Sequence, residues 1–80
     1  MNDATEDLPE VIRRQAEKII AEIERAGSMI LAVKSGARAN GFVLGLICAG
    51  GITVDQGEAL YEHFDQATER RLKALALGLS

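Results

Sequence analysis

Ile12, Ala16, Ile19, Ile23, Ala26, Ile30 and Val33 follow one another at steps of 4, 3, 4, 3, 4 and 3. This is a heptad spacing held over three repeats. It places all seven side chains on one stripe of an α-helix. The flanking positions carry the opposite-charge pairs Glu10/Arg14, Arg13/Glu17 and Lys18/Glu22, each four residues apart, as expected of a solvated helix face. No segment alternates apolar and polar residues over a useful length, so strands are not expected. The fold class that follows is all-α, with two to three helices.

Size decides what that seam must do. A chain of 80 residues buries only about 60–65% of its unfolded surface, and its core rarely supplies more than about 3–5 kcal/mol. Small proteins close the gap with disulfides, metal or self-association. Cys48 is the only cysteine, so no intrachain disulfide is available, and in its apolar setting it reads as a buried small hydrophobe. No Cys/His cluster offers a zinc site, and no cofactor is expected. Self-association is the remaining route, most simply a homodimer, with Ile12, Ile19, Ile23, Ile30 and Val33 as its seam.

Residues 1–6 are expected to form a flexible tail ahead of a single helical domain over 7–80. Asp7-Leu8-Pro9-Glu10 reads as a helix start, with Asp7 as N-cap, Pro9 in the first turn and Glu10 reaching back as a capping box. Gly27-Ser28 and Ser35-Gly36 are the candidate breaks, but the seam passes Gly27 in register, so the first helix is expected over about 8–34. A kink or stop is expected near Lys34–Gly36, and a second helix follows over 37–49. One continuous helix over 8–49 is the alternative. Ala49-Gly50-Gly51-Ile52-Thr53 is the clearest punctuation: glycine suits the left-handed position past a helix end. Thr53 and Gln56 then form a capping box for a last helix over 54–77. The short turn implies an antiparallel C-terminal hairpin. Its apolar stripe is Val54, Leu60/Tyr61, Phe64, Ala67, Leu72, Leu75 and Leu79.

Two surfaces invite contact. Ala37, Gly41, Gly45 and Ala49 recur every four residues and form a ridge of small residues where another helix backbone can approach closely. The ridge serves either the hairpin's own packing or an interface. Asp55, Glu58, Glu62, Asp65 and Glu69 step by 3, 4, 3 and 4, a row of carboxylates along about 20 Å of helix. That stripe is either a solvated face, answered by Arg25, Lys34 or Arg38 and by a Glu69–Lys73 pair, or a docking face for a basic partner.

Other chemistry finds little footing. The net charge of −3 gives no general attraction to nucleic acid. The hairpin resembles a helix-turn-helix, but its second helix would meet phosphates with Asp55, Glu58 and Glu62, and Gly57 stands where a branched apolar residue belongs. Arg70, Arg71 and Lys73 form a late basic cluster suited to the C-terminal dipole. His63, the single histidine, has no partners for a triad or metal site, so an enzyme is not expected. Asn40, on the continued seam, reads as a register-setting residue. The acidic, polar N-terminus lacks signal-peptide features. The longest apolar run, Phe42 to Ile52, is 11 residues, short of the ~20 needed to span a bilayer. A cytoplasmic protein is expected.

From Asn40 to Arg71 the run NGFVLGLICAGGITVDQGEALYEHFDQATERR combines an apolar, Gly-containing helix, an Ala-Gly-x-Ile-Thr turn, Leu-Tyr and a distal Arg-Arg. In this it resembles small helical accessory proteins of bacteriophages and mobile elements. The resemblance implies a protein that binds and inhibits or redirects a host protein in the host cytoplasm, as anti-CRISPR proteins do, by occluding a surface. It assigns no site residue. The expected function is therefore a non-enzymatic protein-binding module. A small helix-turn-helix regulator or a structural subunit of a larger assembly are the alternatives.

Overall fold

The chain turns at residues 25–28, one helical segment earlier than the seam predicts. In the computed structural model, which describes residues 4–78, α1 spans Glu10–Glu24, α2 Met29–Cys48 and α3 Val54–Ala76. All three are α-helices, and no strand occurs among the described residues. The expected break at Ser35-Gly36 does not occur, and neither does the continuous helix over 8–49. Local chemistry supports the earlier break. The Ser28 side chain accepts from the Leu31 amide at 3.2 Å and caps α2. The Arg71 guanidinium Nε donates to the Ala26 carbonyl at 2.8 Å, so the carbonyl freed by the turn is satisfied. Turning there lets α1 lie against both arms of the hairpin, whereas a straight helix would carry its own apolar stripe away from them.

The N-terminus also departs from expectation. Residues 1–3 lie outside the described part, but Thr5 and Leu8 are buried, and the Leu8 amide donates to the Thr5 carbonyl at 3.3 Å. This turn tucks Leu8 into the core and leaves Asp7 exposed, so Pro9 rather than Asp7 occupies the N-cap, with no side-chain cap. Glu10 does not reach back. Its carboxylate lies 3.4 Å from Arg14 and 3.7 Å from Arg13.

The hairpin follows the sequence closely. α2 ends in a Schellman motif: Gly50 has φ +74°, its amide donates to the Ile47 carbonyl at 3.1 Å, and the Gly51 amide reaches the Leu46 carbonyl at 2.8 Å. Thr53 and Gln56 form the expected reciprocal box, at 3.0 Å and 2.8 Å.

The core joins Ala16, Ile19 and Ile23 of α1, Ala39 and Val43 of α2, and Leu60, Phe64 and Ala67 of α3, closed at the ends by Leu8 and Ile52. Two close approaches bring α2 and α3 together. A Cβ on Gly57 would stand 2.8 Å from Ile47 Cγ1, and one on Gly36 would stand 2.8 Å from Thr68 Oγ1. Gly57 is buried, which explains why no branched residue stands there. Of the expected α3 stripe, Leu60, Phe64 and Ala67 are buried, Leu72 and Leu75 are half-buried, Val54 is exposed and Leu79 lies outside the described residues.

Candidate protein-contact surfaces

The turn at residue 27 divides the heptad seam in two. Ile19 and Ile23 are buried in the chain's own core and Ile12 packs against it, whereas Ile30 and Val33 face solvent, 69% and 55% exposed. The seam expected to join copies over its whole length is thus split, and only its second half is free.

That half belongs to a broader surface. α2 buries Ala32, Ala39 and Val43 on its inner side. Its outer side carries Ile30, Val33, Ala37, Gly41, Leu44, Gly45 and Cys48, all exposed, with Lys34 among them and Arg38 in line with Gly45. α2 carries apolar residues on both its inner and outer sides but has cover on the inner one alone. The small-residue ridge lies on the open side. Ala37, Gly41, Gly45 and Ala49 are exposed, and a Cβ at Gly41 or Gly45 would meet nothing within 4 Å. The ridge therefore does not pack the hairpin; Gly36 and Gly57 do that. Cys48 is exposed rather than buried, because it falls on the same outer side. Asn40, also exposed, stands at the edge of this face and sets no register inside the chain.

α2 is also long and apolar enough to cross a membrane by length and composition, with 20 residues and a mean hydropathy of 1.3. Lys34 and Arg38 lie within it, each costing about 2.5–3.5 kcal/mol at a bilayer centre. Arg38 is moreover bound to Glu22 of α1 at 3.0 Å. The charged surfaces of α1 and α3 would have to enter the bilayer with it.

On α3 the stripe Asp55, Glu58, Glu62, Asp65 and Glu69 is exposed throughout. Among the described residues none of the five joins an ion pair. Arg38 answers Glu22 instead, and Glu69 makes no pair with Lys73. Glu62 accepts only from Gln66, at 3.3 Å. An open cleft of about 460 Å³ lies between the N-terminal segment and α3, where Asp7, Asp55, Glu62 and His63 line it. No three His, Cys, Asp or Glu residues among those described are grouped to hold a metal ion. The His63 ring lies 6.3 Å from that of Phe64, tilted by 40°.

The late basic cluster separates into two roles. Arg70 and Lys73 are exposed, but Arg71 is drawn inward to the Ala26 carbonyl and ties α3 to the α1–α2 turn. Sequence reading missed this role, since 45 positions separate the partners. It also missed the outer face of α2. The available signal was that Ala32, Gly36, Ala39 and Val43 form a second small or apolar stripe on the same helix as Ile30, Val33 and Leu44. Comparison with known protein families, with characterised proteins and with solved structures finds no match to this chain.

Proposed function

We propose that this chain is a non-enzymatic, protein-binding helical module that works by covering a partner's surface. The observation that carries this reading is the outer side of α2, where Ile30, Val33 and Leu44 stand exposed around a groove of Ala37, Gly41 and Gly45. Contiguous apolar surface of this kind marks a contact site. The acidic stripe of α3 supplies a second, chemically distinct face for a partner with a basic surface. An inhibitor of a host protein, encoded by a phage or mobile element and acting in the cytoplasm, is the finer form of this proposal. It is supported by the resemblance of residues 40–71.

The experiment is affinity capture with the tagged chain, beside Leu44→Glu and the charge reversal Glu58→Lys/Glu62→Lys/Asp65→Lys. The reading expects a protein held by the wild type and released by one of the two variants. Equal retention by all three would mean that neither face is a docking surface. A DNA-binding hairpin draws less support, because Arg71 is engaged within the fold and the first half of α3 presents only carboxylates at its charged positions. A shift of duplex DNA at ~50 mM salt, abolished by Arg70→Ala, would favour it instead.

A further inference from the structure

We propose that the outer face of α2 is occupied by the α2 of a second copy, packed antiparallel. The inference rests on reading that face as a protein-contact surface and names what covers it. The chain exposes 5321 Å². A folded monomer of its mass, 8.6 kDa, exposes about 4,700 Å². The excess of about 600 Å² is the size that each partner loses at the lower end of stable interfaces, and exposed Ile30, Leu31, Val33 and Leu44 of α2 contribute to it beside Val11, Val54 and Leu77. The dimensions agree. The radius of gyration is 12.7 Å and the thinnest extent 18 Å, whereas a compact chain of this length has a radius near 11.6 Å. The molecule is a slab about two helices thick with an apolar helix on one side.

The face is also self-complementary, as a two-fold interface requires. Knobs and groove lie on the same helix: Ile30, Val33 and Leu44 project, and nothing fills the space above Gly41 and Gly45. In an antiparallel pair centred on residue 39, Val33 falls over Gly45 of the second copy, Ala37 over Gly41, and Ile30 over Cys48. Large residues then meet small ones at the Val33–Gly45 and Ile30–Cys48 levels, and Leu44 lies along the aliphatic stem of Lys34. Charge selects the same direction. Of the two exposed charges on this side, Arg38 is held by Glu22 of α1 at 3.0 Å and Lys34 has no ion-pair partner among the described residues, so a parallel pair would set two uncompensated Lys34 at one level. Antiparallel packing sends each Lys34 toward the C-terminal half of the other α2. That end carries the negative pole of the helix dipole, and its last turn has no basic residue of its own.

Sedimentation of the full chain at tens of micromolar is expected to give about 17 kDa, twice the chain mass. Val33→Glu and Gly45→Leu, both at exposed positions that meet each other in this register, are each expected to return it to a monomer with unchanged helical circular dichroism. Direction is read by oxidation. Within one helix, positions 30 and 48 are about 27 Å apart, beyond the ~7 Å limit for a disulfide. Ile30→Cys should therefore form a disulfide-linked dimer with native Cys48, and the wild type should not cross-link. A wild-type chain that cross-links through Cys48 would overturn the antiparallel arrangement. A monomer at 100 times the assay's lowest concentration, or a monomer that floats with phosphatidylcholine–phosphatidylglycerol vesicles, would overturn the second copy. If that monomer still lost a heterologous partner on Leu44→Glu, the protein-contact reading would stand without it.

Discussion

Gly36 and Gly41 lie five residues apart on one helix and should respond to the same substitution with opposite sign. A Cβ at Gly36 would press on Thr68, whose hydroxyl is held by donation to the Phe64 carbonyl at 2.9 Å. Overpacking of this kind costs about 1–3 kcal/mol, against a helix-propensity gain of about 1 kcal/mol. Gly36→Ala should therefore lower stability by about 1 kcal/mol in urea unfolding, and adding Thr68→Ala should recover part of the loss through coupling between the two sites. Gly41 faces open space, so Gly41→Ala should raise the stability of the dilute, monomeric chain by about 0.5–1 kcal/mol. Arg71 belongs to the same scale. Its bond to the Ala26 carbonyl is charge-assisted and partly buried, and Arg71→Ala should cost about 1–2 kcal/mol in the same assay. An unchanged midpoint would mean that the contact only replaces one with water.

At the scale of elements, the helix ends were the most legible part. Thr53-x-x-Gln56 and Gly50-Gly51 act through backbone groups within four or five residues, so local sequence suffices to read them. Removing these caps should show in the unfolding free energy: Thr53→Ala is expected to cost about 1 kcal/mol, and Ser28→Ala slightly less at its single bond. A Ser28→Ala variant with wild-type stability would mean that the α1–α2 turn is held by Arg71 and packing alone. The α1–α2 break is one of two candidates in the sequence, Gly27-Ser28 and Ser35-Gly36, and periodicity points to the other. The seam's register continues through Gly27, so periodicity favours a helix at the position where the folded chain turns. The Asp7 cap was misread for a related reason, since burial of Leu8 moves the helix start to Glu10.

For the whole molecule, the chief consequence is a dependence on concentration. If two α2 helices meet, association stabilises the folded state by mass action, and the melting temperature should rise with protein concentration. Val33→Glu should remove that dependence. Gly41→Ala should reverse its effect with concentration, stabilising the dilute chain and weakening the concentrated one, because the Cβ that fits solvent does not fit a close helix contact. A melting temperature identical across a hundredfold range of concentration would count against assembly. The acidic face of α3 makes a separate statement at this scale. Its five exposed carboxylates stand on a different helix from the apolar face, so the molecule can offer both surfaces at once.

The sequence alone determined that the chain is helical, where its hairpin turns and which residues cap α3. Each of these rests on interactions within a few residues: side-chain period, left-handed glycine geometry and short-range hydrogen bonds. Only the tertiary structure decided which stretch of the heptad seam becomes core and which stays outside. Ile23 and Ile30 share one stripe in the sequence, yet one is buried and the other is 69% exposed. The reason is that a periodic pattern specifies a face without specifying what covers it. Coverage depends on contacts between distant residues, such as Arg71 with Ala26 and Gly57 with Ile47, which leave no periodic trace along the chain.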